Sequence, residues 1–462
     1  MSEACSKKQP LPYWRRIALI LIVFAIVGLS VQMLVSYLMK VRLDSKIAAI
    51  QKAGYPVSFE ELAPLADAAT TDNAAAVYMS ALSSLPTTET EGLSRIISIY
   101  RSAIAAEALD KLPPDFHKPG ITSILEQHRS CLGVLDNAAT LSMAHYDIGL
   151  QYSLPTCIQS LGQIQRALTL LSLRTMFLIG SKEYDRSAES IITMLKATRV
   201  FDTYPIIAVS NMKQYFIRLA CDDIRILLLR GKPTDSRIGE LAGALTEAFG
   251  SDTIKGTLLA EQVFQIENTR NLLSKKTAEN LLQKHIPEIP KRAKLPRKSL
   301  RQIQLRLLVL QYFNEMGDLI GASSKSTPEL FEYLSDQKKK MSVKLRPHFA
   351  STHSFVEASI ATSATVKSTA LMLHIEKYRR SNGNVPNSLE DIAGDIDPLV
   401  MADPYTGAPM LYKKDETSYI IYSPGPDGID NGGSINTQIL QSTGQIEKMP
   451  DDIGLEMLIT KE

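Results

Sequence analysis

The chain has 462 residues, enough for two or three domains with a sizeable core. Its 51 basic and 49 acidic residues leave a formal net charge of +2, which argues against a general nucleic-acid binder, since such proteins carry a strongly basic domain. Hydrophobic residues make up 45% and aromatics only 6%, with a helix-favouring share of Ala and Leu, so the composition is that of a folded chain and not of a disordered tail.

Residues 17–39 read "IALILIVFAIVGLSVQMLVSYLM", without a charged side chain. As a helix this run spans roughly 34 Å, enough to cross a hydrocarbon core of about 30 Å. It is longer than the apolar centre of a secretory signal and is followed by no small-residue cleavage site, so it reads as an uncleaved signal anchor held in the lipid bilayer. Lys7, Lys8, Arg15 and Arg16 precede it, with Tyr13 and Trp14 at the interface, and Lys40, Arg42 and Lys46 follow it. This small bias leaves residues 1–16 as a cytoplasmic tail. The expected location is a single pass through a bacterial inner membrane, with the bulk of the chain in the periplasm. Of the four cysteines, Cys5 precedes the anchor, and Cys131, Cys157 and Cys221 form no CxxC or metal spacing. The last three read as isolated buried thiols, with one disulfide among them as the alternative in an oxidising compartment.

Residues 40–345 read as a helical body. The anchor helix continues to about Lys52, before Gly54 and Pro56. Ser58 and Glu61 form a capping box over a short helix, Asp72 caps another, and Pro113 and Pro114 mark a boundary. No proline interrupts the stretch between Pro155 and Pro205. Ile164, Ala167, Leu168, Leu171 and Leu178 recur at helical spacing up to Gly180, a natural stop, and Ala188, Ile191, Ile192 and Leu195 mark a second helix. The pair makes a helical hairpin of weakly tetratricopeptide-like order, without a second copy at a fixed period, so a bundle is expected and not a solenoid. Further helices fit the segments from Pro205 to "LRGKPTD", "SRIGELAGALTEAF", "TLLAEQVFQIENTRNLLSKKTAENLLQK" and "SLRQIQLRLLVLQYFNEMGDLI". The basic stretch from Lys291 to Arg301 reads as a solvated connection, with a contact to anionic lipid or a partner carboxylate as the alternative, and "DQKKKMSVKLR" reads as a solvated helix end.

No GxSxG elbow, HExxH, Walker loop or dinucleotide fingerprint occurs. The histidines His117, His128, His145, His285, His348, His353 and His374 form no tight cluster, although His128 and Cys131 could share a helix face. The chain is therefore read as a non-enzyme, with no catalytic residue and no cofactor assigned from motifs.

The last quarter carries a different pattern. A helix is expected from Val356 to Arg380, then a turn and a short helix capped at Asn387. Asp403, Pro404 and Gly407 build a turn before "MLYKK", and "TSYIIYS" follows across a polar link, which predicts a β-hairpin. The positions Tyr378, Gly383, Pro386, Leu389, Asp403, Pro404, Gly407, Pro409, Tyr412, Tyr422, Ser423, Gly425, Asp427 and Gly428 together resemble the C-terminal domain of the major pseudopilin of type II secretion systems (protein G). The likeness covers roughly Ala364 to Gly433, so residues 346–435 are expected to form a pseudopilin-like module and residues 436–462 a tail. The processing site of that family, a Gly, Phe and Glu before the membrane helix, is absent here, and the module lies far from the anchor. A pilus subunit is therefore not expected.

The resemblance implies a calcium loop, for which Asp427, Asp430, Asn431 and Ser434 are the candidate ligands, since calcium takes carboxylate, carbonyl and hydroxyl oxygens. Otherwise no cofactor is expected. The following "SINTQIL" lacks the acids that the family uses there, and the alternative is a plain glycine-rich turn. The expected fold is mainly α: a transmembrane helix, an extended helical bundle and a small C-terminal α+β module with a β-hairpin. The expected role is structural or protein-interacting, with secretion or pilus-type proteins as partners and no nucleic acid. The alternative is an enzyme or sensor with an unrecognised site in the helical body.

Overall fold

A computed structural model describes residues 13–62, 74–83, 118–141, 154–202, 205–250, 253–273, 297–340, 346–435 and 452–459, with residues 85, 95, 96, 99 and 102. The expectations placed on Cys5, Asp72, Pro113, Pro114, His117, His145, His285 and residues 291–296 lie outside them, as do those on the side chains of Cys157 and His348.

The helices are α1 (Tyr13–Lys52), α2 (Phe59–Leu62), α3 (Ala74–Ser83), α4 (Lys118–Gln127), α5 (Arg129–Ala138), α6 (Leu154–Gly180), α7 (Tyr184–Ala197), α8 (Ile207–Arg230) and α9 (Asp235–Phe249). They continue as α10 (Thr253–Leu273), α11 (Arg297–Ala322), α12 (Thr327–Lys340), α13 (Arg346–Asn382) and α14 (Pro398–Met401). Three strands, β1 (Leu411–Lys414), β2 (Ser418–Ser423) and β3 (Ile453–Leu458), form one antiparallel sheet in the order β1-β2-β3. The chain divides into two compact units, Met1–Ser58 with Gln262–Asp318, and Phe59–Glu261 with Leu319–Glu462.

In the first unit α1 runs unbroken for 40 residues and stops where Gly54 takes a left-handed φ of 82° ahead of Pro56. It is long and apolar enough to cross a membrane, and none of its apolar stretch is buried within the chain. Phe24, Met33 and Tyr37 stand exposed on it. Past Lys40 the character changes. Leu43, Ile47 and Ile50 recur at helical spacing and pack with Val57, with Ile266 of α10 and with Phe313 of α11. A helix apolar on every face thus becomes one with a single buried stripe.

The second unit is built on the α6–α7 hairpin, as the spacing predicts. The turn between them differs in detail. Gly180 ends α6 as an ordinary helical residue, and the left-handed position is Lys182, with φ 63°. Small hydroxyl side chains are buried between these helices: Thr175 Oγ1 stands 2.9 Å from Leu171 O and 3.0 Å from Ser190 Oγ. Tyr184, the first residue of α7, lies over Gly231, where a Cβ would sit 2.2 Å from its ring. Arg174 of α6 holds Asp136 of α5 through two 2.7 Å hydrogen bonds, the fork geometry that favours arginine.

Helix α13 reaches further than its expected bounds and serves both halves of this unit. One side packs on α8 and α9, where Gln214 Nε2 donates to Ser359 Oγ at 2.5 Å and Arg218 Nη1 to Thr362 Oγ1 at 2.8 Å. The other side packs on β2 and β3. Gly383, at φ 76°, ends it. The short helix after it is a 3-10 segment over Leu389–Asp395, with Ser388 rather than Asn387 at its cap. The expected hairpin is β1–β2, and Asp415 Oδ1 closes its turn by accepting from Thr417 N and Ser418 N, each at 2.7 Å. The segment expected to be a tail supplies β3. Its Ile453, Leu455 and Met457 are buried in alternation, which places β2 in the middle of the sheet.

Candidate functional site

The glycine-rich loop leaves β2 at Ser423. Gly425–Asp427 form one 3-10 turn, and Gly428, Gly432 and Gly433 each take positive φ, at 68°, 78° and 80°. Gly433 also lies against the sheet, where a Cβ would come within 2.8 Å of Ile420 Cδ1. The chain thereby folds back on its own strand.

Two carboxylates hold this loop. Asp430 Oδ1 accepts from Tyr422 Oη and from Gly432 N, each at 2.8 Å, and Lys413 Nζ stands 3.4 Å away. The Tyr422 hydroxyl, and then the Gly432 amide, hold the Asp430 carboxyl below the usual carboxylate range. The second carboxylate is Asp452, fully buried at the entry to β3. Its Oδ1 accepts from Asn431 N at 3.3 Å, and its Oδ2 from Gly433 N at 2.8 Å and Ser434 N at 3.1 Å. Ile435 bridges to Asp452 in parallel, and Gly454 lets β3 close on β2, since a Cβ there would meet Ile421 O at 2.0 Å.

The four expected ligands are thus near one another in the chain but differently engaged. Asp427 Oδ1 accepts from its own loop at Ile429 N, 3.0 Å away, and the Asn431 amide donates to Ile429 O at 3.1 Å. Asp430 is tied to Tyr422 and Lys413, and Ser434 contributes its backbone N–H to Asp452. Among the described residues, no group of three or more His, Cys, Asp and Glu side chains stands together as a metal cage. Calcium takes six to eight oxygens. Asp427 Oδ1 and Asp430 Oδ1 point at N–H and O–H donors, and the cation beside Asp430 is Lys413, so these two carboxylates hold the loop closed by hydrogen bonds.

The chain matches no family model, no curated protein and no solved structure.

A cleft of about 770 Å³ opens in the second unit where the end of α13, the β1–β2 turn and the α8–α9 link meet. Lys232, Arg379, Arg380 and Lys414 face it beside Asp415 and Glu416. Arg380 also donates to Pro233 O and pairs with Asp235 at 3.2 Å, which fixes the α8–α9 link against α13. Nothing in the sequence singled out this cleft, because its walls come from three distant segments.

The thiols and the buried histidine sit in packed surroundings. Cys131 and Cys221 are both buried and outside any disulfide, and burial pushes the Cys221 thiol up to about 12, against the opposing hydrogen bond of Thr369. His353 is buried on α13, and His128 caps α5 without a side-chain cap bond.

Proposed function

We propose that the chain is a membrane-anchored protein-interaction scaffold, with α1 in a bacterial inner membrane, the helical body in the periplasm and a pseudopilin-like module at its end. The observation that carries this reading is the double use of α13. One continuous helix packs on the α8–α9 pair and on the sheet, so the C-terminal module shares its core with the body. A module added only as a stable cap would need no such shared helix. The mixed-charge cleft at the junction, with Lys232, Arg380 and Lys414 beside Asp415 and Glu416, suits an extended polar segment of a partner. The order of α13, hairpin and glycine-rich loop supports the pseudopilin likeness, and secretion or pilus-type proteins are the partners proposed.

The test is a crosslinked pull-down from native membranes with a C-terminal tag on the full chain. Recovery of secretin, pseudopilin or assembly-platform proteins, reduced by Lys414→Glu, supports the scaffold. Recovery of none of them removes the secretion partners from the proposal.

A further inference from the structure

The first unit holds a groove whose polarity changes along its length. Where α11 lies against α1, Arg306 Nη1 donates to Ser36 O at 2.6 Å and to Ser36 Oγ at 2.8 Å. Its Nε is enclosed, and among the described residues no acceptor reaches it. One edge of the guanidinium fork is therefore bound to the helix backbone while another lacks the acceptor that a buried N–H requires. Towards the N-terminus from Arg306 a groove of about 330 Å³ is walled by Leu29, Met33 and Tyr37. Towards the C-terminus a second groove, of about 550 Å³, is walled by Lys40, Asp44, Gln51 and Arg270. Lys40 and Arg306 border both.

We propose that this groove holds one anionic phospholipid, with its phosphate at Arg306 and Lys40 and an acyl chain along Leu29, Met33 and Tyr37. The proposal rests on the reading that α1 crosses a membrane. From Leu29 to Lys40 the helix rises roughly 16 Å, about half of a hydrocarbon core of about 30 Å, which is the depth of one leaflet. The apolar wall then lies at acyl-chain depth and the cations at the headgroup plane. Leu29, Met33 and Tyr37 are all exposed, so nothing among the described residues covers them. Asp44 is the carboxylate whose charge acts on Arg306, and Glu267 pairs with Arg270 at 2.5 Å. Three cations thus face two carboxylates, which leaves the groove positive. Arg306 and Lys40 border both grooves, so a phosphate seated between them meets two cations at once. Basic pockets beside membrane helices select anionic headgroups for this reason.

The experiment uses the full chain, first tested for release by carbonate washing of membranes and then purified in mild detergent. It is titrated with phosphatidylglycerol or phosphatidylcholine of the same acyl chains, and retained lipid is counted by native mass spectrometry. Phosphatidylglycerol is expected to be retained about tenfold more strongly. Lys40→Gln, which leaves the Arg306–Ser36 contact intact, and Arg306→Gln should each remove most of that preference with helix content unchanged. Glycerol 1-phosphate at millimolar concentration should not compete. Equal retention of the two lipids, or a preference unchanged in both variants, overturns the lipid site while the anchor stands. Competition by glycerol 1-phosphate makes it a free-phosphate site and overturns the acyl groove. Release of the chain by carbonate overturns the anchor itself.

Discussion

Tyr419 Oη donates a 2.8 Å hydrogen bond to Glu376 Oε1, and both side chains are buried. The other oxygen, Oε2, accepts from Arg379 Nε at 2.9 Å. One carboxylate on α13 thus joins the middle strand of the sheet to the helix beneath it. Removing the hydroxyl in Tyr419→Phe leaves a buried carboxylate oxygen without its donor. A loss of about 1.5–3 kcal/mol is expected, seen as a lower midpoint in urea unfolding at unchanged slope. The effect of Arg379→Met should not add to it, because both act on one carboxylate.

The same packing sets an alkaline limit. Burial, and then the Glu376 carboxylate, raise the Tyr419 pKa well above its usual value, and burial first pushes Tyr412 up to about 12. Burial also raises Tyr78 and Tyr405. Each folded pKa lies above the unfolded value near 10, so the folded state binds more protons at high pH. The contribution is fully present below pH about 10 and is lost as pH rises through the folded values. Thermal midpoints should therefore stay level from neutrality to pH about 9 and fall above pH about 10. Tyr419→Phe should flatten that fall, while the tyrosinate absorbance of the buried tyrosines should appear together with unfolding.

Asp452 makes a sharper prediction about the loop. Asp452→Ala removes the acceptor for three backbone N–H groups at once, for an expected cost of about 2–3 kcal/mol. Amide hydrogen exchange at Asn431, Gly433 and Ser434 should accelerate, while the α6–α7 hairpin stays protected. Gly454→Ala should be worse, because its Cβ has no room beside Ile421 O. A chain ending at residue 435 loses β3 and Asp452 together and should expose the buried face of β2.

Calcium remains a proposal that rests on the resemblance. If it binds, Asp430 must release Lys413, and calcium at millimolar concentration should raise the melting temperature in a way that Asp427→Ala abolishes. The hydrogen-bonded closure predicts instead no shift with calcium in the full chain, and a lower midpoint for Lys413→Met without any metal.

The long helices were legible because local spacing decides them. Ile164 to Leu178, Ala188 to Leu195 and the stop at Gly54 each follow from residues within a few turns. The hairpin was legible for the same reason, since Asp415 and its neighbours form a local polar link. The loop's closure was not. The acid it needs is not in "SINTQIL" but in "PDDIG", beyond the point where the sequence pattern appeared to end. The alternation of Ile453, Leu455 and Met457 was the available signal for a strand, yet only three-dimensional pairing with β2 brings Asp452 to Gly433. The groove at Arg306 was equally hidden, because Ser36 and Arg306 are far apart in the chain and neither belongs to a motif.

The central claim, that α1 anchors the body outside the cytoplasm, is tested most directly by C-terminal fusions expressed in bacteria, one to alkaline phosphatase and one to green fluorescent protein. The account predicts phosphatase activity, no fluorescence, and both fusions in the membrane fraction. A fluorescent fusion without phosphatase activity would put the helical body in the cytoplasm and contradict it.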